Sequence, residues 1–299
     1  MQLAIVASAL NAEIRAAARQ ARSLGFEGIQ LDVRTAELDI TSLSDSGKRE
    51  LRQVIRSHEI ALESLRFDLG SKGFGPAADI DALLSRLQSV LESARALQTP
   101  LVCVEAGPLP APPPELKPKP SIAPEEAGLI IIPRPTSPAP AATNGDIAPQ
   151  KFDSVFASSV DGAMAELGRR ADRYGVMLAF RSDLASFAAL ERALRAAACP
   201  WFGIDFDPVA MLRDEWSAHE IFSRLGMMMH HVRGRDAVAG ADRRARPAAI
   251  GAGSVNWESL FSLLDEAAYK GWITLDPFDL PDRRAAAVAG ADYLKKIRP

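Results

Sequence analysis

The sequence contains few of the residues from which disulfides and histidine-rich metal centres are built. Its 299 residues include two cysteines, Cys103 and Cys199, and four histidines. Two cysteines are too few for a disulfide framework, so nothing in the sequence indicates an oxidising compartment. The small number of histidines leaves little material for a metal centre built mainly from imidazoles.

Long hydrophobic runs and a large excess of one charge are also missing. The opening MQLAIVASALN has a short apolar run without a basic leader, which is typical of a strand rather than a signal peptide. No stretch approaches the roughly 18 apolar residues that span a bilayer. The formal net charge of −3 offers no basic surface for nucleic acid or anionic lipid. We therefore expect a soluble cytoplasmic protein with a small-molecule ligand and no nucleic-acid or membrane partner; its oligomeric state stays open.

Proline, in contrast, is abundant and unevenly placed. Of the 21 prolines, 13 lie between Pro108 and Pro149. Proline lacks a backbone donor and disrupts helix interiors, so this stretch is unsuited to regular core structure. We expect an insertion at about 107–151, in which the apolar patch Leu129–Ile132 could still dock against the rest of the protein.

Short apolar runs alternate with amphipathic helical stretches on both sides of this insertion. The predicted strands are Leu3–Ala7, Gly28–Val33, Ala61–Phe67, Leu101–Glu105, Val176–Phe180, Trp201–Phe206, Met227–Val232 and Trp272–Leu275. Eight successive β/α units predict a parallel sheet, and eight is the number that closes into a barrel. We predict a single (β/α)8 TIM barrel over residues 1–299, with the Pro-rich insertion after the fourth strand. A doubly wound open sheet is the alternative, although no G-x-G-x-x-G follows the first strand.

The last four predicted strands carry charged residues at their ends. Side chains two residues apart in a strand point to the same face, so each strand end contributes a pair of residues that face the same way. These pairs are Ala179/Arg181, Asp205/Asp207, His231/Arg233 and Thr274/Asp276. The second member of each pair lies at the carboxyl end of its strand, where barrel enzymes place their sites. The pattern predicts either a convergent polar cluster or separate solvated charges, with Glu105 of the fourth strand as a further carboxylate of open direction.

Several segments resemble one family. GFEGIQLDV, GVMLAFRSD, FGIDFDPVA and HHVRGRDA are similar to strands two, five, six and seven of the xylose isomerase-like TIM barrel superfamily. IGAGSVNWESLFSLLDEAAYKGWITLDPF is similar to its eighth strand with the leading helix. The resemblance covers essentially the whole chain outside the insertion. It implies a barrel of the sugar (phosphate) isomerase/epimerase type, a group that also includes endonuclease IV.

The resemblance further implies a divalent metal, held by glutamate, aspartate, histidine and glutamate on strands five to eight. The matching positions here are Arg181, Asp207, Arg233 and Asp276. Ala210 stands where a substrate-contacting histidine commonly follows the sixth strand. Arginine offers no lone pair and stays protonated, and a hard cation requires several oxygen ligands. We therefore expect no metal and no other cofactor.

Three functional hypotheses follow from these substitutions. The first is a barrel with weak or no isomerase activity that binds a small ligand such as a sugar, sugar phosphate or sugar acid. The residues expected to bind it are Arg181, Arg233, Arg235, His231 and Glu105. The second is an active metal-independent isomerase with Asp207 or Asp276 as its base, although a neighbouring arginine lowers the pKa of a carboxylate. The third, an endonuclease IV-like nuclease, is disfavoured because its zinc site needs more histidine.

The strand-end charges could instead neutralise one another. Arginine pairs bidentately with carboxylates, so a network of these four residues could take the place of a metal. His231 lies one layer deeper by strand parity and is predicted as a core histidine bonded to Asp205 rather than a ligand. Arg235 and Asp236 after the seventh strand either line the barrel mouth or form a salt-bridged loop.

Overall fold

The computed structural model describes residues 2–112, 153–214, 217–240 and 245–298. Most of the expected insertion at about 107–151, with its Leu129–Ile132 patch, lies outside the described residues. Within the described part of the chain, no helix is long and apolar enough to cross a membrane.

Eight parallel strands form a closed barrel, and two further strands form a small antiparallel sheet. The strands are β1 (Gln2–Val6), β2 (Gly28–Asp32), β3 (Ala61–Asp68), β4 (Leu101–Glu105), β5 (Met177–Arg181), β6 (Phe202–Phe206), β7 (Met229–Gly234), β8 (Asp236–Ala239), β9 (Ala245–Ala248) and β10 (Trp272–Leu275). The barrel order is β1-β10-β7-β6-β5-β4-β3-β2, and β8 pairs with β9. The first and last strands pair, with Leu3 opposite Ile273. The predicted (β/α)8 barrel is therefore confirmed, and the open sheet is wrong because this pairing closes the barrel.

Helices surround the barrel and follow the predicted stretches closely. They are α1 (Ile14–Ser23), α2 (Asp45–Arg56), α3 (Ile80–Leu97), α4 (Ser154–Tyr174), α5 (Phe187–Ala197), α6 (Pro208–Asp214), α7 (Ala218–Leu225), α8 (Trp257–Glu266) and α9 (Arg283–Ile297). Helix α4 begins at Ser154, because the side chain of Asp153 accepts hydrogen bonds from the Val155 and Phe156 amides. The short helix α6 and the β8–β9 hairpin were not predicted.

Apolar side chains fill the space between the strands and the helices. The large core cluster includes Leu31, Leu65, Phe180 and Leu87, each buried between these two layers. In the barrel interior, Leu101, Cys103 and Ala179 form a separate small apolar cluster. Polar and charged side chains occupy much of the remaining interior, and this arrangement positions the candidate site.

Strand β3 contains a bulge that adds one inward-facing side chain. Ile29 lies opposite Leu62, but Gln30 lies opposite Ser64, so Glu63 is an extra residue in β3. Glu63 and Ser64 are both buried, and the Ser64 hydroxyl donates to Glu63 Oε1 at 2.6 Å. Strict alternation would place Glu63 on the helix side of the strand.

Candidate functional site

The strand-end arginine of β7 lies at the centre of a buried charge network. Arg233 is 1% exposed and donates through Nη2 to Asp205 Oδ2 at 2.7 Å. Its Nη1 donates to Asp276 Oδ2 at 2.8 Å. One guanidinium therefore neutralises carboxylates from both neighbouring strands, β6 and β10. Burial opposes ionisation of the two carboxyls, but the arginine charges hold the pKa of Asp205 and of Asp276 below the usual range.

The network continues across β3 and β2 through Arg66, which lies outside the predicted strand-end pairs. Arg66 Nη1 donates to Asp276 Oδ2 at 3.0 Å, and its Nε donates to Asp32 Oδ1 at 2.5 Å. Asp32 Oδ2 accepts a further hydrogen bond from the Ser8 hydroxyl at 2.6 Å. Asp32 is the last residue of β2, and Arg66 lies opposite it in β3, two residues before that strand ends. Extending the two-residue register rule to the early strands would have identified both.

Arg181 joins the other side of the network. Its Nε lies 3.2 Å from Glu105 Oε2, and its Nη1 lies 3.0 Å from Asp183 Oδ1 and 3.4 Å from Asp207 Oδ2. Arg235 Nη1 donates to Asp207 Oδ2 at 2.8 Å. The structure thus brings the predicted Arg181, Asp207, Arg233 and Asp276 into one ion-paired cluster, and Arg235 belongs to it as a salt-bridged residue.

Glu105 faces the barrel mouth, which settles its direction. One of its oxygens, Oε1, accepts a hydrogen bond from the Asp183 amide at 3.0 Å. Burial raises the pKa of Glu105, and the adjacent Arg181 only partly offsets this effect. Among the carboxyls of the cluster, Glu105 therefore differs from Asp205 and Asp276, whose pKa values are lowered.

His231 lies below the cluster, as its strand parity predicts. Its Nδ1 is 2.6 Å from Asp205 Oδ1, and its Nε2 is 2.8 Å from Thr274 Oγ1. The Thr274 hydroxyl donates its single hydrogen to Glu63 Oε1, so His231 Nε2 must be the donor toward it. Both ring nitrogens therefore carry protons. Burial alone would lower the pKa of His231, but the charges of Asp205 and Glu63 help to hold it well above its usual value.

The four strand-end positions do not fit a divalent cation. Asp276 Oδ2 accepts hydrogen bonds from Arg233 and Arg66, and Asp207 Oδ2 accepts one from Arg235. Of these two carboxylates only Asp276 Oδ1 is buried without a partner, and one free oxygen is too few for a hard cation. A dication there would also face several arginine charges at short range. The guanidinium nitrogens at these positions offer no lone pair, so they cannot act as metal ligands in place of a carboxylate or an imidazole.

A deeper group of potential ligands is equally occupied. One ligand atom each of Cys103, Asp205 and His231 lies within 4.8 Å of the others, and all three residues are buried. Both ring nitrogens of His231 are hydrogen-bonded, and so are both oxygens of Asp205. Burial also raises the pKa of the Cys103 thiol, which disfavours the thiolate that binds metals. This group therefore fits a protonated histidine between two carboxylates better than a metal.

A cavity of about 530 Å³ opens above the network at the barrel mouth. Its lining residues are Ser8, Asp32, Arg34, Thr35, Arg66, Phe67, Asp68, Arg86, Glu105, Arg181, Arg233 and Phe278. Five arginines and three carboxylates thus face this space, and two phenylalanine rings supply apolar wall. Of the predicted site residues, Arg181, Arg233 and Glu105 line it.

The other predicted residues do not line this cavity. Asp276 and Arg235 line a smaller pocket beside β8 and β9, while Asp207 lines another next to α5. His231 is fully buried beneath the network. Phe278 and Arg86 were missed because one lies in a loop after β10 and the other on a helix, where strand alternation makes no prediction.

Solved structures similar to this chain share its fold at low sequence identity. A xylose isomerase domain protein from Planctomyces limnophilus matches with a TM-score of 0.71 and 15% identity, covering 100% of this chain and 96% of that one. D-psicose 3-epimerase from Clostridium cellulolyticum H10, solved with D-tagatose, matches with a TM-score of 0.69 and 13% identity over 99% of both chains. A xylose isomerase-like TIM barrel protein from Mycobacterium smegmatis, solved with magnesium, matches with a TM-score of 0.68 and 14% identity, covering 99% and 95%.

A comparison with curated protein sequences found no match. A family model described as xylose isomerase-like TIM barrel matches residues 18–297. That span includes seven of the eight barrel strands completely and every strand-end charge described above. The chain therefore belongs to the xylose isomerase-like TIM barrel family.

Proposed function

We propose that this protein binds a small anionic sugar derivative at the barrel mouth without a divalent metal. One observation carries the proposal: Arg181 and Arg233 occupy two positions where the family resemblance implies metal ligands, and both line the mouth cavity. Guanidinium groups recognise phosphate and carboxylate through several hydrogen bonds at once. Fixed arginine charges would then replace the charge that a metal supplies in sugar isomerases.

The cavity also suits the uncharged part of a sugar. The carboxylates of Asp32 and Glu105 can accept hydrogen bonds from hydroxyl groups, while the Phe67 and Phe278 rings offer apolar surface to C–H faces. The network holds Arg66, Arg181 and Arg233 in place through their carboxylate partners. A ligand would therefore meet donors that are already oriented, which lowers the entropic cost of binding.

We further propose that isomerase activity is weak or absent. Asp276 accepts hydrogen bonds from two arginines, and its lowered pKa makes it a weak base at neutral pH. Neither Asp276 nor Asp207 lines the mouth cavity, so neither is placed to reach a ligand there.

An active metal-independent isomerase is the second candidate. Glu105 favours it, because this carboxyl lines the cavity and its raised pKa brings it closer to the range useful for proton transfer. Replacement of Glu105 by glutamine would then abolish any isomerase activity, whereas Asp207→Asn would leave turnover within a few-fold. The nuclease hypothesis gains no support, because the buried His231 is already bonded at both ring nitrogens.

Ligand binding is tested by a thermal-shift screen of sugars, sugar phosphates and sugar acids, followed by calorimetric titration of the hits. We expect anionic sugars to raise the melting temperature and the Arg181→Gln variant to lose this effect. Arg169→Gln, on the outer surface of α4, is the matched control and should respond like the wild type. If no compound of the three classes binds, the proposed function is wrong.

Metal independence is tested by metal analysis of the purified protein and by titration with Mn²⁺. We expect no stoichiometric metal and no binding in the micromolar range. The double variant Arg181→Glu/Arg233→His, checked for folding by circular dichroism, should gain Mn²⁺ affinity if these positions correspond to metal ligands. A stoichiometric micromolar Mn²⁺ site in the wild type would overturn the proposal.

A further inference from the structure

Two arginines outside the buried network flank the outer part of the mouth cavity. Arg34 follows β2, and Arg86 lies on α3. A second cavity of about 90 Å³ shares Arg34, Arg86 and Phe67 with the mouth cavity as lining residues. The two guanidinium groups therefore face a small recess that borders the main binding space.

Arg86 carries a charge that no carboxylate of the described residues neutralises. Its guanidinium lies over the Phe67 ring, 5.2 Å from the ring centroid, and the residue is exposed. Arg66, Arg181 and Arg233 each have at least two carboxylate partners instead. Among the arginines that line the cavity, Arg86 is thus the one whose N–H donors are most available to a ligand.

Arg34 is held beside it in a fixed orientation. Its Nε and Nη2 donate to Asp39 Oδ2 at 2.9 and 2.6 Å. Asp39 is itself held by Thr41, whose amide and hydroxyl both donate to Asp39 Oδ1. This arrangement uses one edge of the Arg34 guanidinium and leaves Nη1 for an additional acceptor.

We infer that Arg86 and Arg34 form a subsite for the terminal phosphate of a phosphorylated sugar. The inference rests on the proposed function and adds the ligand class and its orientation. A phosphate accepts several N–H donors, which two guanidinium groups supply together. At the deeper end Arg66, Arg181 and Arg233 are each already paired with two or more carboxylates, so fewer of their N–H donors remain for a phosphate. The carboxylates of Asp32 and Glu105 there can accept hydrogen bonds from sugar hydroxyls. The pairing of the arginines therefore sets one orientation, with the phosphate outward on Arg86 and Arg34. The sugar hydroxyls lie inward, within reach of Arg181 and Arg233.

The subsite is tested by calorimetric titration with D-fructose 6-phosphate, D-fructose, D-gluconate and inorganic phosphate. We expect the wild type to bind the phosphorylated sugar at least about tenfold more tightly than the free sugar, because two guanidinium groups donate charged hydrogen bonds to its phosphate. Arg86→Gln and Arg34→Gln should remove this preference and leave the affinity for D-fructose unchanged. Arg95→Gln, an exposed residue of the same helix, is the matched control and should retain the preference.

The outcomes separate the subsite from the proposed function. Binding of the sugar phosphate with a preference that survives both Arg86→Gln and Arg34→Gln would overturn the subsite and leave the proposed function standing. Equal affinity for D-gluconate and D-fructose 6-phosphate would overturn the phosphate assignment. If none of the four compounds binds, both the phosphate subsite and the proposed function lose their support. Because Arg86 and Arg34 are exposed, loss of folding is not expected to confuse these results.

Discussion

At the scale of single residues, Arg233 shows how a charge can be tolerated inside a barrel. Its guanidinium is fully enclosed, yet each of its two terminal nitrogens meets a carboxylate. Desolvating such a group is costly, and the cost is offset only when its partners are well placed. The carboxylates depend on Arg233 as well. Without it, Asp205 and Asp276 would be buried charges that had lost their nearest counter-charge.

Replacing Arg233 by methionine should therefore destabilise the protein strongly. We expect the free energy of unfolding to fall by about 3–5 kcal/mol, the usual cost of removing one partner of a buried ion pair. Denaturant titration measures this change. Arg22→Met is the control, because Arg22 and its partner Glu59 are exposed and the pair should contribute at most about 1 kcal/mol. Equal effects of the two substitutions would contradict the central position of Arg233.

The sequence predicts which residues form this cluster better than it predicts which of them pair with one another. The two-residue period of strands aligned Arg181, Asp207, Arg233 and Asp276 at one end of the barrel, and the structure brings them together. The expected bond between His231 and Asp205 is present. Which carboxylate each arginine binds depends on side-chain reach across the barrel, and no local pattern contains that information.

At the scale of elements, the segment after β7 is organised by a single carboxylate. Asp236 is buried and accepts hydrogen bonds from the amides of Gly251 and Val255 and from the indole of Trp257. A Cβ at Gly253 would lie 2.0 Å from Asp236 Oδ1, so the chain can pass this closely only with glycine. Arg235 and Asp236 therefore have different roles. Arg235 is part of the ion network, whereas Asp236 anchors the loop that leads into α8.

Asp236→Asn tests this anchoring role. An amide nitrogen would face backbone N–H groups that now donate to a carboxylate, so at least one buried donor would lose its acceptor. We expect the free energy of unfolding to fall by about 2–4 kcal/mol. Asp279→Asn is a suitable control, because Asp279 is half exposed and pairs with Arg235 at the surface. A loss below about 1 kcal/mol for Asp236→Asn would argue against the anchor.

Element boundaries were predictable where the chain carries local capping or apolar patterns. Strand β4 matches its predicted range, because a continuous apolar run marks it. The β8–β9 hairpin has short strands with few large apolar residues, so it lacks such a pattern. The bulge at Glu63 was also beyond prediction, because it is a property of pairing with β2 rather than of β3 alone.

At the scale of the whole molecule, the charge network ties opposite walls of the barrel together. Asp32 and Arg66 belong to β2 and β3, and they connect through Asp276 to Arg233 and Asp205 on the other side. The stability of the barrel should therefore depend on the protonation of its interior. Eight β/α units in series were sufficient to predict closure, whereas this connection required the three-dimensional structure.

The protonated His231 determines whether the stability of the barrel rises or falls with pH. The folded protein retains this proton above the pKa of about 6.5 that histidine has when unfolded. The stabilisation is fully present below that value and is lost as pH rises toward the folded pKa. As the pH rises through the window above pH 7, we expect the free energy of unfolding to fall because of this group, by at most about 1.4 kcal/mol per pH unit. His230 has a lowered pKa and therefore titrates below this window.

Denaturant titrations at several pH values across this window measure the slope. His231→Gln removes the titrating group and should show a shallower dependence, even if its overall stability is lower. Nitrogen NMR of the imidazole at pH 7.5 gives an independent measurement, and we expect the signals of a doubly protonated ring. A flat stability profile for the wild type, or a neutral ring at this pH, would contradict the assignment.

The bulge in β3 has a consequence that reaches across the barrel. Strands β3 and β7 lie on opposite walls, four positions apart in the closed order. The extra residue in β3 turns the Glu63 carboxylate inward, where Thr274 links it to His231 of β7. Deleting Glu63 would restore the regular alternation of side chains in β3. It would also remove a negative charge from the neighbourhood of His231 on the opposite wall. The number of residues in one strand therefore helps to determine how many protons the opposite strand holds.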